Sequence, residues 1–240
     1  MNPHITEIAY ILDRSGSMRP MQEPAVAAFN SFLTSQLSVP GDARLTLVLF
    51  DDQYEVPVAG LPVAQVPELT AATYTPRGNT ALLDAIGRTI KETDARICSL
   101  PDAEKPVKVI LAIFTDGAEN ASRHYTMKHL SDLISLYRRE KGWEFLFLAA
   151  NQDAIATAAE LSIHAADTSN IQYTAVGVKS SGGAIGRKAR AMRMASMSAP
   201  MTASAKADLE KPMSEIVSEE AEAEADSASS TIDESGVTAE

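Results

Sequence analysis

Asp13, Ser15 and Ser17 stand at alternate positions in the stretch ILDRSGSM, directly after an apolar run. Far along the chain, Thr80 lies in GNTALLDA and Asp116 in FTDGAEN, the latter again just after an apolar run. Together these residues offer two carboxylates and three hydroxyls, an all-oxygen set without thiol or imidazole. Hard cations such as Mg²⁺ take oxygen ligands, six of them in octahedral order at about 2.0–2.1 Å. Hydroxyl oxygens are neutral and weak donors. A dication held mainly by them, with two carboxylates nearby, has its charge balanced but receives little electron density. It therefore favours a further anionic oxygen from outside. The blander reading is a set of capped turns, since Ser is a preferred N-cap and Thr80 can simply start a helix. The two readings are compatible.

These side chains have to be positioned by elements, and the hydrophobic pattern supplies them. Residues 5–12 read as a buried strand, 44–50 as a second and 54–60 as a third. Only Asp51, Asp52 and Gln53 separate the second from the third, so that pair must be antiparallel, because parallel strands need a long crossover. Pro57 puts the third strand at a sheet edge. Residues 107–114 and 144–149 are a fourth and fifth strand, and a short sixth is expected at 163–165. Between them run helical patterns. Val26, Phe29, Leu33 and Leu37 share one face; Leu83, Ile86, Ile90 and Ile97 mark a helix opening near Thr80; Met127, Leu130, Leu133, Ile134 and Tyr137 mark another. Residues 153–161 read as an Ala-rich helix with Asn151 as its N-cap, and 184–194 as a last helix. Alternating strands and helices with apolar inner strands give an α/β domain, its mainly parallel sheet covered on both faces. In such sheets ligands bind outside the carboxyl ends of the strands, where strand order reverses. Asp13-x-Ser15-x-Ser17, Thr80 and Asp116 all belong to that end if the crossovers are right-handed.

Asp13, Ser15, Ser17, Thr80 and Asp116 resemble the metal-ion-dependent adhesion site of the von Willebrand factor A domains, and the resemblance covers roughly residues 5–163. It implies a doubly wound six-stranded sheet in the order 3-2-1-4-5-6 with one antiparallel edge strand. It implies that Ser15, Ser17 and Thr80 touch the metal through their hydroxyls, while Asp13 and Asp116 often act through water. The cation implied is Mg²⁺, with Mn²⁺ or Ca²⁺ as alternatives. Binding rather than catalysis is implied, so no enzyme activity is expected. The implied partner is a protein that offers a glutamate or aspartate to the metal. Intracellular bacterial-type members often serve as adaptors, some of them beside AAA+ ATPases.

Composition narrows the rest. The 240 residues carry a net charge of −11, and nine of those charges fall between Ala195 and Glu240, where Lys206 and Lys211 face eleven acidic residues. This divides the chain into a domain at 1–194 and an acidic Ala/Ser/Glu-rich tail at 195–240 that reads as disordered or marginally helical. An acidic chain argues against nucleic acid as partner, because phosphate binding relies on clustered Lys and Arg. No apolar run approaches the ~20 residues needed to span a bilayer, and MNPHITEIAY has no signal-peptide pattern. The single cysteine, Cys98, is expected to be a small structural residue, and a cytoplasmic location is the default expectation.

Smaller features have bland expectations beside sharper ones. Asp51 and Asp52 read as a hairpin turn rather than a second cation site. Asn79, Asp84, Glu119 and Asn120 read as turn or cap residues rather than rim ligands. Gly117 is expected to allow an unusual backbone angle. His124 and His129, five apart, do not share a helical face. The basic run from Arg187 to Arg193 reads as a solvated helix face, with docking of an acidic partner or of the chain's own tail as the rarer alternative. Two rival functions stand beside the binding module. One is a metal-dependent phosphatase or hydrolase using Asp13 as nucleophile or a metal-bound water, for which Arg14 and Arg77 are the only nearby basic groups. The other is a scaffold that acts through its acidic tail.

Overall fold

The computed structural model describes residues 4–150, 154–197 and 200–234. Its six strands are β1 (Thr6–Asp13), β2 (Ala43–Phe50), β3 (Tyr54–Pro62), β4 (Lys108–Thr115), β5 (Glu144–Ala150) and β6 (Thr168–Ile171). They form one sheet in the order β3-β2-β1-β4-β5-β6. Only the β2–β3 pair is antiparallel. The chain therefore winds outward from β1 to one edge, crosses back to β4, and winds to the other. Pro57 sits in edge strand β3, as its missing N–H requires.

The helices are α1 (Gln22–Leu37), α2 (Leu82–Ser99), α3 (Met127–Lys141), α4 (Ala154–Glu160), α5 (Ala175–Ala195), α6 (Ala203–Glu210) and α7 (Met213–Glu234). Strand residues alternate between two cores. Ile8, Tyr10 and Leu12 of β1 join α1, α5 and α7 on one face, while Ala9 and Ile11 join α2, α3 and α4 on the other. None of these helices is long and apolar enough to cross a membrane.

Four readings of the sequence are corrected here. In α1 the buried face includes Ala25, Ala28, Phe32 and Gln36, while Leu37 is exposed. The cause is close packing on α5, where a methyl on Gly182 would come within 1.9 Å of the Ala28 carbonyl oxygen, so small residues share the buried face. The last helix of the domain begins at Ala175, capped by Thr174, and not at 184. Its glycines and serines have low helix propensity and hide that first half from the pattern. The sixth strand is Thr168–Ile171; Ile163 lies instead in a buried turn after α4. Cys98 is exposed. The proposed cap Asn151 lies outside the described residues.

Of the two expectations for the tail, disordered or marginally helical, the described part follows the second and adds docking: it holds α6 and α7. Met213, Ile216 and Val217 fall on one face of α7 and are buried against the domain. Acidic residues of this segment pair with α5. Arg187 meets Asp208, Glu219 and Glu220, Arg190 meets Asp208, and Lys179 meets Glu224. Buried Lys188 donates to the carbonyls of Leu209 and Lys211 at the end of α6. The rarer reading of the basic run, docking of the chain's own tail, is the one found. Composition concealed it because a few well-placed apolar residues, Ala205, Leu209, Met213, Ile216 and Val217, and a handful of ion pairs hold the segment, rather than average hydrophobicity.

Candidate metal centre

β1 ends at Asp13, in register with Phe50 of β2, and Leu12 is in register with Phe114 of β4. This puts Asp13 at the carboxyl edge of the sheet, at the crevice where winding reverses. Its side chain is fully buried. Oδ1 accepts from the Ser15 backbone N–H at 2.7 Å, and Oδ2 accepts from the Thr115 hydroxyl at 2.5 Å. The Tyr74 hydroxyl donates to the Asp13 carbonyl, fixing the strand end. With each carboxylate oxygen already taken by a protein donor, Asp13 stands behind the hydroxyls rather than in front of them.

The tight turn that follows brings the Ser15 and Ser17 hydroxyls 3.0 Å apart. Ser17 donates onward to Asp116 Oδ1 at 2.8 Å, across 99 residues of chain. Asp116 leaves β4 two residues beyond Phe114. Its second oxygen, Oδ2, is buried and has no hydrogen-bond partner. Thr80 is held by its backbone: its N–H donates to Asn120 Oδ1 and its carbonyl accepts from the N–H groups of Asn120 and Ala121. Its Oγ1 faces the same spot as Ser17. A methyl added at Gly117 would stand 3.1 Å from Thr80 Oγ1 and 3.5 Å from Ser17 Oγ. Gly117 thus leaves room beside the Thr80 hydroxyl, which a methyl would crowd by a few tenths of an ångström; its φ is not in the left-handed region, contrary to the expectation of an unusual angle.

The electrostatics point the same way. Burial, the largest cause, pushes the Asp13 carboxyl up to about 6, with hydrogen bonds from Thr115 and Ser15 opposing and the charge of Asp116 adding. Burial likewise raises Asp116, against the hydrogen bond from Ser17. Two desolvated carboxylates in one pocket disfavour each other's charge, and a cation relieves that. The buried, unpartnered Asp116 Oδ2 and the three converging hydroxyls fit a hard divalent cation. Among the described residues no group of three His, Cys, Asp or Glu is arranged to hold a metal, so any cation here depends on Ser and Thr oxygens.

Tyr74 and Tyr173 escape the sequence reading, and Thr115, Asn120 and Asp51 do more than it assigns them. Thr115, at the strand end beside Asp116, donates to Asp13. Tyr74 and Tyr173, whose hydroxyl donates to the Ser17 carbonyl, carry no local signal. Asn120 anchors Thr80. Asp51 is more than a turn residue, because it is fully buried and bound to both Arg14 and Arg77. That also commits Arg14 and Arg77, and it leaves the Asp51 carboxylate paired with guanidinium groups rather than with a second cation. Asp84 and Glu119 act as loop fasteners. Asp84 accepts from the N–H groups of Arg123, His124 and Tyr125, and Glu119 from those of Leu83, Ala121 and Ser122. His124 lies in that loop, while His129 stacks on Tyr125.

No protein-family model and no curated protein matches the chain. Solved structures do. Proximal thread matrix protein 1 from the mussel byssus is 18% identical with a TM-score of 0.56; the match covers 82% of this chain and 47% of that one. Another form of the same protein was solved with a zinc-occupied MIDAS motif. A von Willebrand factor type A protein from Catenulispora acidiphila is 15% identical, with a TM-score of 0.53 over 81% of this chain and 43% of that one. Manganese-loaded TRAP of Plasmodium vivax is 14% identical, with a TM-score of 0.51 over 71% and 69%. The chain thus spans less than half the length of the mussel and Catenulispora proteins.

Proposed function

This chain has the von Willebrand factor A fold, and from the site at its sheet edge we propose a divalent-metal-dependent protein-binding module that captures an acidic residue of a partner. Ser15, Ser17 and Thr80 would hold the cation through hydroxyl oxygens, with Asp13 and Asp116 balancing its charge. When bound, the cation supplies a Lewis-acidic position for a carboxylate oxygen from outside. Mg²⁺ is the preferred ion on grounds of hardness, with Mn²⁺ and Ca²⁺ as alternatives. The observation that carries the reading is the buried, unpartnered Asp116 Oδ2 beside the linked hydroxyls of Ser15 and Ser17.

The reading is of binding without catalysis. A phosphatase or hydrolase at this site needs a cationic group to grip the substrate, and Arg14 and Arg77 are tied to Asp51 and Glu55. Asp13 is a poor nucleophile here, since both its oxygens are occupied and buried. A scaffold acting through a free acidic tail is less favoured, because much of the tail's described charge is spent on α5. The partner would be a protein with an exposed Asp or Glu, an AAA+ ATPase assembly being one candidate class.

The test has two steps. Mg²⁺ binding is measured by titration calorimetry on wild type and Asp116→Asn. Capture from native lysate is then compared with Mg²⁺, with EDTA and with Asp116→Asn. A partner retained only by wild type in Mg²⁺ is the expected result. Capture that ignores EDTA and the substitution alike sinks the reading.

A further inference from the structure

Four charged groups lie just behind the metal centre and take no part in the donor set. Asp51, fully buried, receives the Arg77 Nε at 2.8 Å and pairs with the Arg14 Nε at 3.2 Å. Glu55 pairs with the same two arginines at 2.7 Å each. Arg14 lies between Asp13 and Ser15, and Arg77 lies three residues before Thr80. One arginine therefore belongs to each of the two loops that carry the hydroxyls.

The backbone repeats the link. The Arg77 N–H donates to the Arg14 carbonyl, the Gly16 N–H to the Gly78 carbonyl, and the Ala81 N–H to the Asp51 carbonyl. Gly78 has φ of +66°, and a methyl there would meet Asp52 Oδ1 at 2.2 Å, so this loop is packed directly onto the β2–β3 turn. The charges also matter at longer range. Two guanidinium groups beside a dication site repel the dication, and inside a protein that repulsion is weakly screened. Asp51 and Glu55 cancel both. The four-membered cluster is neutral, so the two negative charges of Asp13 and Asp116 remain available to a cation.

Resting on the metal-site reading above, we propose that Asp51 is a positioning residue for that site. Through Arg14 and Arg77 it holds the Ser15–Ser17 loop against the Thr80 loop and cancels the guanidinium charge behind them. The side chain touches no ligand; it acts through the arginines.

The experiment is Mg²⁺ titration calorimetry on the full chain, with circular dichroism to verify folding. Asp51→Asn is expected to raise the Mg²⁺ dissociation constant at least tenfold. Adding Arg77→Gln to Asp51→Asn is expected to regain at least threefold, because it removes the uncompensated charge; a purely structural defect would be worsened by that second change. Glu7→Gln, a buried acid about 20 Å down β1 by strand rise, should leave the constant within twofold whatever it does to stability. Should Asp51→Asn fail to fold, Glu55→Gln replaces it: Glu55 is half-exposed, and a weakening of about threefold is expected. Wild-type Mg²⁺ affinity in a folded Asp51→Asn, or in Glu55→Gln, overturns the proposal while leaving the metal site standing. A wild type that does not bind Mg²⁺ overturns both.

Discussion

Asp13→Asn should make the metal-free protein more stable while abolishing its response to metal. Asp13 is buried with its carboxyl raised from 3.8 to about 6. A raised folded pKa means that the folded state prefers the protonated form. Stability from this group is therefore fully present below pH 3.8 and is lost as pH rises through 6. Above pH 6 the charged carboxylate costs the fold about 3 kcal/mol, taking about 1.4 kcal/mol per unit. Asparagine removes that cost with little change in shape. Its oxygen can still accept from the Ser15 N–H, and its amide can donate to the Thr115 hydroxyl, which can turn to the Gly117 carbonyl 3.2 Å away. Allowing about 1 kcal/mol for the weaker neutral hydrogen bond, Asp13→Asn should gain about 2 kcal/mol at pH 7.5 in EDTA. Urea unfolding followed by the fluorescence of buried Trp143 measures this. At pH 4 the gain should vanish. Saturating Mg²⁺ should reverse the order, since a ligand at 100 times its dissociation constant adds about 2.7 kcal/mol to wild type alone. An Asp13→Asn protein that is less stable than wild type in EDTA at pH 7.5, or a difference independent of pH, refutes the reasoning.

Other outcomes follow from the same structure. Thr80→Ala should weaken Mg²⁺ binding without unfolding the chain, because Thr80 is fixed by its backbone; calorimetry with circular dichroism checks both. Ile216→Ala, at a fully buried position of α7, should cost about 2–4 kcal/mol in urea unfolding, and an unchanged midpoint would mean that the tail does not dock. Gly182→Ala drives a methyl against the Ala28 carbonyl and should lower stability by about 1–3 kcal/mol, through displacement of α5 from α1. Arg187→Ala should make the melting temperature less sensitive to salt than that of wild type, since Arg187 pairs with Asp208, Glu219 and Glu220.

How much of this was legible beforehand differs by region. Strands β1, β2, β4 and β5 were plain, because each is a run of apolar residues buried on both faces. The antiparallel turn at β3 followed from a three-residue connection and one proline. β6 was missed because a four-residue polar edge strand has no periodicity to detect. The five candidate ligands follow from residue type, from position after strands or, for Thr80, at a helix start, and from the resemblance to the von Willebrand factor A site; the fold brings Asp13, Ser15, Ser17 and Asp116 into one hydrogen-bonded chain with Thr80 opposite. What supports them was hidden, since Tyr74 and Tyr173 reach the site from loops whose course no local pattern encodes, and the pairing of Asp51 with Arg14 and Arg77 is long-range. The docking of the tail was hidden for a related reason. Its order depends on long-range pairing, Arg187 with Asp208 and Met213 with the core, and average composition is blind to pairing.

The most direct measurement is anomalous diffraction from crystals soaked in Mn²⁺ and acetate. The account expects one Mn²⁺ peak bordered by the hydroxyls of Ser15, Ser17 and Thr80, with an acetate oxygen on its open side. Mn²⁺ bound elsewhere with nothing at this position, or a cation here closed off from acetate by protein ligands, would contradict it.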